Sequence, residues 1–339
     1  MLATNVPART LYVAPGGKSW ASGSASAPVG SLADAARIAR PGDTVLVAPG
    51  TYRGPQRFRA SGKTGAPITI RPARPGTVTF DGTGSPANSD LVTLIGSHLR
   101  FVGFAVVNAS RSGISAWHTW DVTILANTVT GSRRAGIWVG AERARLSGYN
   151  RIAGNRIYSN CRENAARAWA GGWARAIAVD LSDGTLVEQN LVERNYCEGI
   201  GALSTRGATI RRNVVSDNFS VNIYLDNAPE TEVRENIVFT TGDGHFYRAG
   251  RPAHGILIAN EYTRLMLPST RIVVQGNTLI GVDRPHYAYY GAGGGLSDSW
   301  ITPNEIVSRM PVDQLLARIA RVIRIRPAKS DYCGAVIRC

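Results

Sequence analysis

Val187-Glu188-Gln189-Asn190-Leu191-Val192, Ile210-Arg211-Arg212-Asn213-Val214-Val215 and Val233-Arg234-Glu235-Asn236-Ile237-Val238 are one motif written three times, 23 residues apart. Weaker copies end in Asn127, Asn155 and Asn277. A period in the twenties, carried by short β-branched runs, is the mark of a solenoid. Asparagine at a fixed turn tolerates left-handed backbone, and its amide can bond to its copies on the rungs above and below. These asparagines are therefore read as structural, not catalytic.

A second marker keeps the same phase. A small residue followed by isoleucine recurs as Gly113-Ile114, Gly136-Ile137, Ala176-Ile177, Gly199-Ile200, Asn222-Ile223 and Gly255-Ile256. The steps are 23, 40, 23, 23 and 33 residues, so two repeats carry insertions, at 162–175 and 240–254. Each repeat is expected to hold two short strands and two turns. One coil cannot bury its own apolar face, whereas stacked coils share a core. Insertions in such stacks fall on loops, often at the binding face.

The segment 11–54 reads as a cap. Leu11-Tyr12-Val13 is a strand, Ser31 is the N-cap of a helix carrying Leu32, Ala35, Ala36 and Ile38, and Pro41-Gly42 stops it. A helix there covers exposed strand edges. At the other end, 303–325 reads as helical, with Leu315, Leu316, Ile319, Val322 and Ile323 on one face. It is expected to pack on the last coil or along the side of the stack. The fold is thus an all-β parallel solenoid: an N-terminal cap at 1–54, coils at 55–285, and a C-terminal loop and helical cap at 286–339, as one continuous structural domain.

The run Leu11-Tyr12-Val13-Ala14-Pro15-Gly16-Gly17, then Ser31-Leu32-Ala33-Asp34-Ala35-Ala36, then Pro41-Gly42-Asp43-Thr44-Val45-Leu46-Val47-Ala48-Pro49-Gly50-Thr51-Tyr52 resembles the opening of right-handed parallel β-helix proteins of the pectate-lyase-like superfamily. With the repeats, the resemblance covers about residues 11–282. It implies a right-handed parallel β-helix and an extracellular, carbohydrate-active protein. It does not select an activity, because one fold hosts many.

The bulk numbers agree. The chain has 339 residues, 37 of them glycine and 17 proline, which suits a turn-rich β protein. Its net charge is +14, and lysine occurs only at Lys18, Lys63 and Lys329, so the basic residues are almost all arginine. That balance favours a polyanionic partner. Acidic polysaccharide is preferred over nucleic acid, since the arginines are scattered and no nucleic-acid-binding motif is present. No apolar run reaches the roughly 18 residues of a membrane span. No leader is legible before Leu11, and Met1 is read as a start placed on a processed chain; export, to the periplasm or outside, is expected. The chain is expected to be a monomer. Cys161 with Cys197, and Cys333 with Cys339, are candidate disulfides, and neither pair has metal-ligand spacing.

Strand alternation from each isoleucine outward sorts the candidate site. Ser115, Trp138, Ala178, Gly201, Tyr224 and Leu257 form one outward column, and Trp117, Gly140, Asp180, Leu203, Asp226 and Ala259 the next. Asp180 and Asp226 lie two equal repeats apart, so strand stacking at about 4.8 Å separates them by about 9.6 Å. Flexible carboxylates could close that to the spacing of an inverting glycosidase. His245, Arg248 and His254, with Tyr247, lie in the second insertion and add acid–base chemistry. The catalytic candidates are therefore Asp180, Asp226, His245, Arg248 and His254. Trp117, Trp138, Arg175, Arg206, Tyr224 and Tyr247 are candidate substrate binders; Trp169, Trp173 and the group Tyr287, Tyr289 and Tyr290 are lesser aromatics. Superfamily lyases often hold calcium on aspartates and use a Lys or Arg base. No lysine lies in the repeat body, and no acidic cluster is dense enough to assign calcium; no metal ligands are assigned. Calcium stays open, and no cofactor is otherwise expected. The expectation is an enzyme cleaving an acidic glycan by lyase or hydrolase chemistry in an outer groove. The rivals are a non-catalytic glycan-binding surface protein and a uronan epimerase.

Overall fold

The computed structural model describes residues 7–168, 171–261, 268–290, 296–325, 332, 334 and 336–338. The N-terminal helix, Leu32–Ile38, begins as its sequence dictates: the Ser31 side chain accepts from the Asp34 backbone N–H, and Leu32, Ala35 and Ala36 turn into the core.

Every strand pairing in the coil is parallel, and the register joins like to like. Ile137, Ile177, Ile200, Ile223 and Ile256 are paired in succession and fully buried. Each middle rung holds three short strands, not the two that the sequence suggests. The rung Glu198–Leu203, Thr209–Arg211, Val214–Ser216 is an example. The extra corner is invisible to a two-marker count because it falls at Thr205, which is buried, accepts from the Ser182 backbone N–H on the neighbouring rung and donates to Leu203 O within the turn. The first two faces are joined in a single sheet by the long strands Val92–Val102 and Ile114–Leu125, which bend at His98, His118 and Asp121, all at positive φ. The third face is a separate parallel sheet.

The asparagines hold the corner between the second and third faces. Asn155 donates to Asn190 (2.9 Å), Asn190 to Asn213 (3.0 Å), Asn213 to Asn236 (3.0 Å) and Asn236 to Asn277 (2.9 Å), all buried. A second ladder runs Asn160 to Asn195 to Asn218. The left-handed residue at these corners is the one before the asparagine, as at Gln189 (φ 56°), Arg212 (φ 52°) and Glu235 (φ 55°). This corrects the assignment of that conformation to asparagine itself. The preceding residue turns outward and absorbs the bend, which frees the asparagine to point inward.

The C-terminal helix spans Val312–Val322, shorter than the sequence suggests. Glu305–Val307 is instead a strand that continues the third face beside Thr278–Ile280. The helix lies along the flank of that face. Its Leu315, Ile319 and Ile323 pack on Leu191, Val214, Ile237 and Phe239. One disulfide, Cys161–Cys197, links neighbouring rungs. Cys333 and Cys339 lie outside the described residues. Among the described residues no helix is long and apolar enough to cross a membrane.

Candidate functional site

The first face places its side chains by simple rules. Ile177, Val179, Ile200, Ala202, Ile223 and Leu225 point inward and are buried. Asp180, Leu203 and Asp226 are register partners in one outward column. At the start of each strand the phase slips. A β-carbon at Gly199 would meet Asn222 O at 2.4 Å and Val215 Cγ1 at 2.9 Å, so position 199 faces the interior, as does Ile200. Two successive inward residues at this corner throw Glu198 outward. Arg175, Glu198, Val221 and His254 thus form a further outward column, with Arg175 paired to Glu198 and Val221 to His254.

These columns and the two insertions enclose a cavity of about 460 Å³. Its floor carries Glu198, Tyr224, Asp226 and Glu261, and its walls are Trp173, Arg175, Arg248 and His254. Arg175 lies across Gly201, where a β-carbon would come within 1.9 Å of Arg175 Cδ; only glycine leaves room for that stem. Its Nη2 donates to Asp180 Oδ1 at 2.6 Å, and Trp138 Nε1 donates to Asp180 Oδ2 at 2.8 Å. Asp180 is therefore occupied on both oxygens.

Glu198 keeps some surface toward the cavity while protein surrounds it elsewhere. Burial pushes its carboxyl up to about 7, although the Arg175 guanidinium pulls it down. Burial also raises Asp226, which is 2% exposed; the Glu261 backbone N–H, donating at 2.9 Å, opposes that rise and the Glu261 charge adds to it. Tyr224 donates to Glu261 Oε1 at 2.6 Å, and burial raises the phenol well beyond its ordinary range. For Arg175 burial acts downward, but the charges of Asp180 and Glu198 outweigh it, so the guanidinium stays ionised. Burial lowers His254 below the usual imidazole range, with Asp283 opposing. His254 is therefore neutral near pH 7.

The cavity is the middle of a longer groove. Toward the N-terminal cap it opens past Trp173 into a depression of about 580 Å³ under Arg134, Trp138 and Asp180, and then past Arg111 to Trp117. Trp117 and Trp138 pack with ring centroids 4.1 Å apart. Toward the other end it continues past Ser220, Arg248 and His254 to Arg251 and Arg284.

Of the sequence-derived candidates, Asp180, Asp226, Arg248, His254, Trp117, Trp138, Arg175 and Tyr224 line this groove. Arg248 stacks over Trp173 at 5.0 Å and donates to Ser220 Oγ. His245, Tyr247 and Arg206 do not line it. His245 is exposed, with its ring against Tyr196 and Phe246. Arg206 is exposed beside Glu230, at 4.0 Å. Tyr224, 7% exposed, is floor and not a stacking platform. Trp169 lies outside the described residues, as do the side chains of Tyr287, Tyr289 and Tyr290. Glu198 and Glu261 were missed. Glu198 shares the 23-residue step with 175 and 221, but alternation counted from Ile200 turns that column inward. Glu261 follows the last paired residue of its strand and has no repeat partner to announce it. Among the described residues no three His, Cys, Asp or Glu side chains gather closely enough to hold a metal ion.

A family model described as "Pel9A-like, right handed beta helix region" matches residues 11–237. The solved pectate lyase Pel9A is 19% identical, with a TM-score of 0.60 over 88% of this chain and 80% of that one. An alginate lyase from Paenibacillus sp. str. FPU-7 is 17% identical, with a TM-score of 0.63 over 88% of this chain and 98% of that one. The A-module of the Azotobacter vinelandii mannuronan C-5 epimerase AlgE4 is 13% identical, with a TM-score of 0.50 over 79% of this chain and 87% of that one. No curated protein matches by sequence. At these identities the structural likeness shows the fold.

Proposed function

The chain belongs to the Pel9A-like right-handed β-helix family, and from that premise we propose that it cleaves an acidic polysaccharide in the groove of its first face. The observation that carries this reading is the set of carboxyls around one cavity, with Glu198 titrating near 7. A carboxyl with that pKa holds a proton at the pH where it can usefully give it away. Glu198 protonates the glycosidic oxygen as the bond from the anomeric carbon breaks. A water attacks that carbon and passes its proton to Asp226, so the net change is the addition of one water across the bond. Glu261 is fixed by Tyr224 and Asp226 and keeps Asp226 basic through its charge. Asp180 is a positioning residue: it holds Arg175 against the cavity wall and does not touch the reacting atoms.

The arginine-rich groove supports an acidic substrate. A disulfide between rungs supports export, since such bonds persist in oxidising compartments. The test is digestion of uronate-containing polysaccharides with detection of both reducing ends and unsaturated uronates. Hydrolysis gives new reducing ends without ultraviolet absorbance from a double bond. A specific observation favours a second reading, β-elimination. Neutral His254 faces the same cavity as Tyr224 and could abstract the proton beside a uronate carboxylate. Unsaturated products would select it. An absence of fragments from every polymer, with binding intact, would make the chain a glycan-binding protein.

A further inference from the structure

We infer that the groove is graded in charge so as to hold a polysaccharide whose acidic sugars flank a neutral sugar at the centre; this rests on the groove being the binding cleft proposed above. From Trp117 to Leu257 the groove crosses five rung steps, about 24 Å at strand spacing, enough for several sugars of an extended chain. Its two ends and its middle differ in which charge stands in front.

At the N-terminal end the guanidiniums face the groove and their carboxylates sit behind. Arg111 is tethered by Asp90 at 3.1 Å, and Arg134 by Glu163 at 3.2 Å. The two carboxylates are 7% and 3% exposed, while the arginine side chains remain 35% and 42% exposed. Such tethering orders the planar donors without hiding them, which suits paired hydrogen bonds to a sugar carboxylate. At the other end Arg251 and Arg284 line the groove with Asp283, and Arg248 stands between that end and the central cavity.

In the middle the order is reversed. Arg175 is behind, 14% exposed and paired to Asp180, and Arg248 is held on the wall over Trp173, while Glu198 and Glu261 stand at the surface over buried Asp226. A uronate carboxylate placed there would meet the exposed Glu261 carboxylate, beside protonated Glu198 and above buried Asp226, in a partly desolvated cleft. A neutral sugar meets acceptors matched to its hydroxyl groups instead. Like-charge contact at the centre and opposite charge at the ends is a discriminating device, not only an attractive one.

The test uses the whole protein and titration calorimetry. The probes are polygalacturonate fragments of one length, the same fragments with all carboxyls reduced to alcohols, and fragments with carboxyls reduced at random positions. A matched alginate series removes dependence on one uronic acid. The partly reduced pool is expected to contain fragments binding about tenfold more tightly than the fully acidic ones. That advantage should shrink for Glu261→Gln, which lightens the central charge. Fully acidic fragments binding as tightly as the best partly reduced ones, or no binding in either series, would overturn the inference. Products cut between two uronates would overturn it while leaving the proposed activity standing. The expected order of affinities without any cleavage would remove the activity alone.

Discussion

The inner and outer sides of the same strands behave as two different texts. Inward, the first face repeats one residue: Ile177, Ile200 and Ile223 stack in register with no exposed surface. Outward, two residues before Ile177, Ile200, Ile223 and Ile256, the column reads Arg175, Glu198, Val221 and His254, no two alike. The interior must repeat because each rung packs on its neighbour, and a rung unlike the others leaves a void or a clash. The outer wall touches no other rung's core and is free to vary. Repetition therefore marks what holds the fold, and departure from repetition marks what meets a ligand.

The sharpest way to break this contrast is Glu198→Gln. It should lower kcat by about a thousandfold, as loss of a general acid does, while leaving the coil intact by circular dichroism. The wild-type rate should fall above about pH 7 as Glu198 loses its proton, and the variant should lack that limb. Asn213→Ala should do the opposite. It leaves the buried Asn190 backbone N–H without its acceptor and breaks the side-chain ladder on either side, so stability should drop by about 3 kcal/mol in urea unfolding, with little change in kcat for the folded fraction.

Glu198 also links the outer wall to stability. Its folded pKa is raised from 4.5 to about 7. A raised carboxyl contributes stability that is fully present below the unfolded pKa and is lost as pH rises through the folded value. The wild type should therefore lose about 3 kcal/mol relative to Glu198→Gln between pH 4.5 and 7.5, measured by urea unfolding at each pH. Asp180→Asn, which loosens Arg175 without touching the reacting atoms, should lower kcat/KM about tenfold, mostly through KM. His245→Ala should change neither rate nor stability measurably, because the ring lies away from the groove. A large loss there would move the active region to the second insertion.

How much could be read in advance follows from the same contrast. The asparagine and isoleucine columns were legible because the interior forces them to recur. The placement of Asp180 and Asp226 on one outward column followed from alternation alone. Glu198 was not, because alternation counted back from Ile200 assigns it inward. The corner at Gly199 breaks that count, and the glycine that permits the corner looks in sequence like any other small residue. His245 and Tyr247 were drawn in by chemical type within an insertion, where no register says which way a side chain turns. The third strand of each rung was hidden for a similar reason. Its corner is made by Thr205, which accepts from Ser182 one 23-residue step earlier, but Ser and Thr at that corner differ in type and so do not stand out as a repeated column.

The Cys161–Cys197 bridge has a mechanical consequence. A stack whose rungs contact only their neighbours frays inward from its two ends, like a coil of rope. The bridge closes a loop of sequence separation 36 that begins beside the Arg162–Asn164 turn and contains Trp173, Arg175 and Asp180. Fraying from either end must halt at that rivet, because the two rungs on which it sits cannot part. Slow amide hydrogen exchange should therefore be centred on the cleft and not spread evenly along the stack. Reduction of the bridge should let fraying from the ends pass those two rungs and reach Trp173.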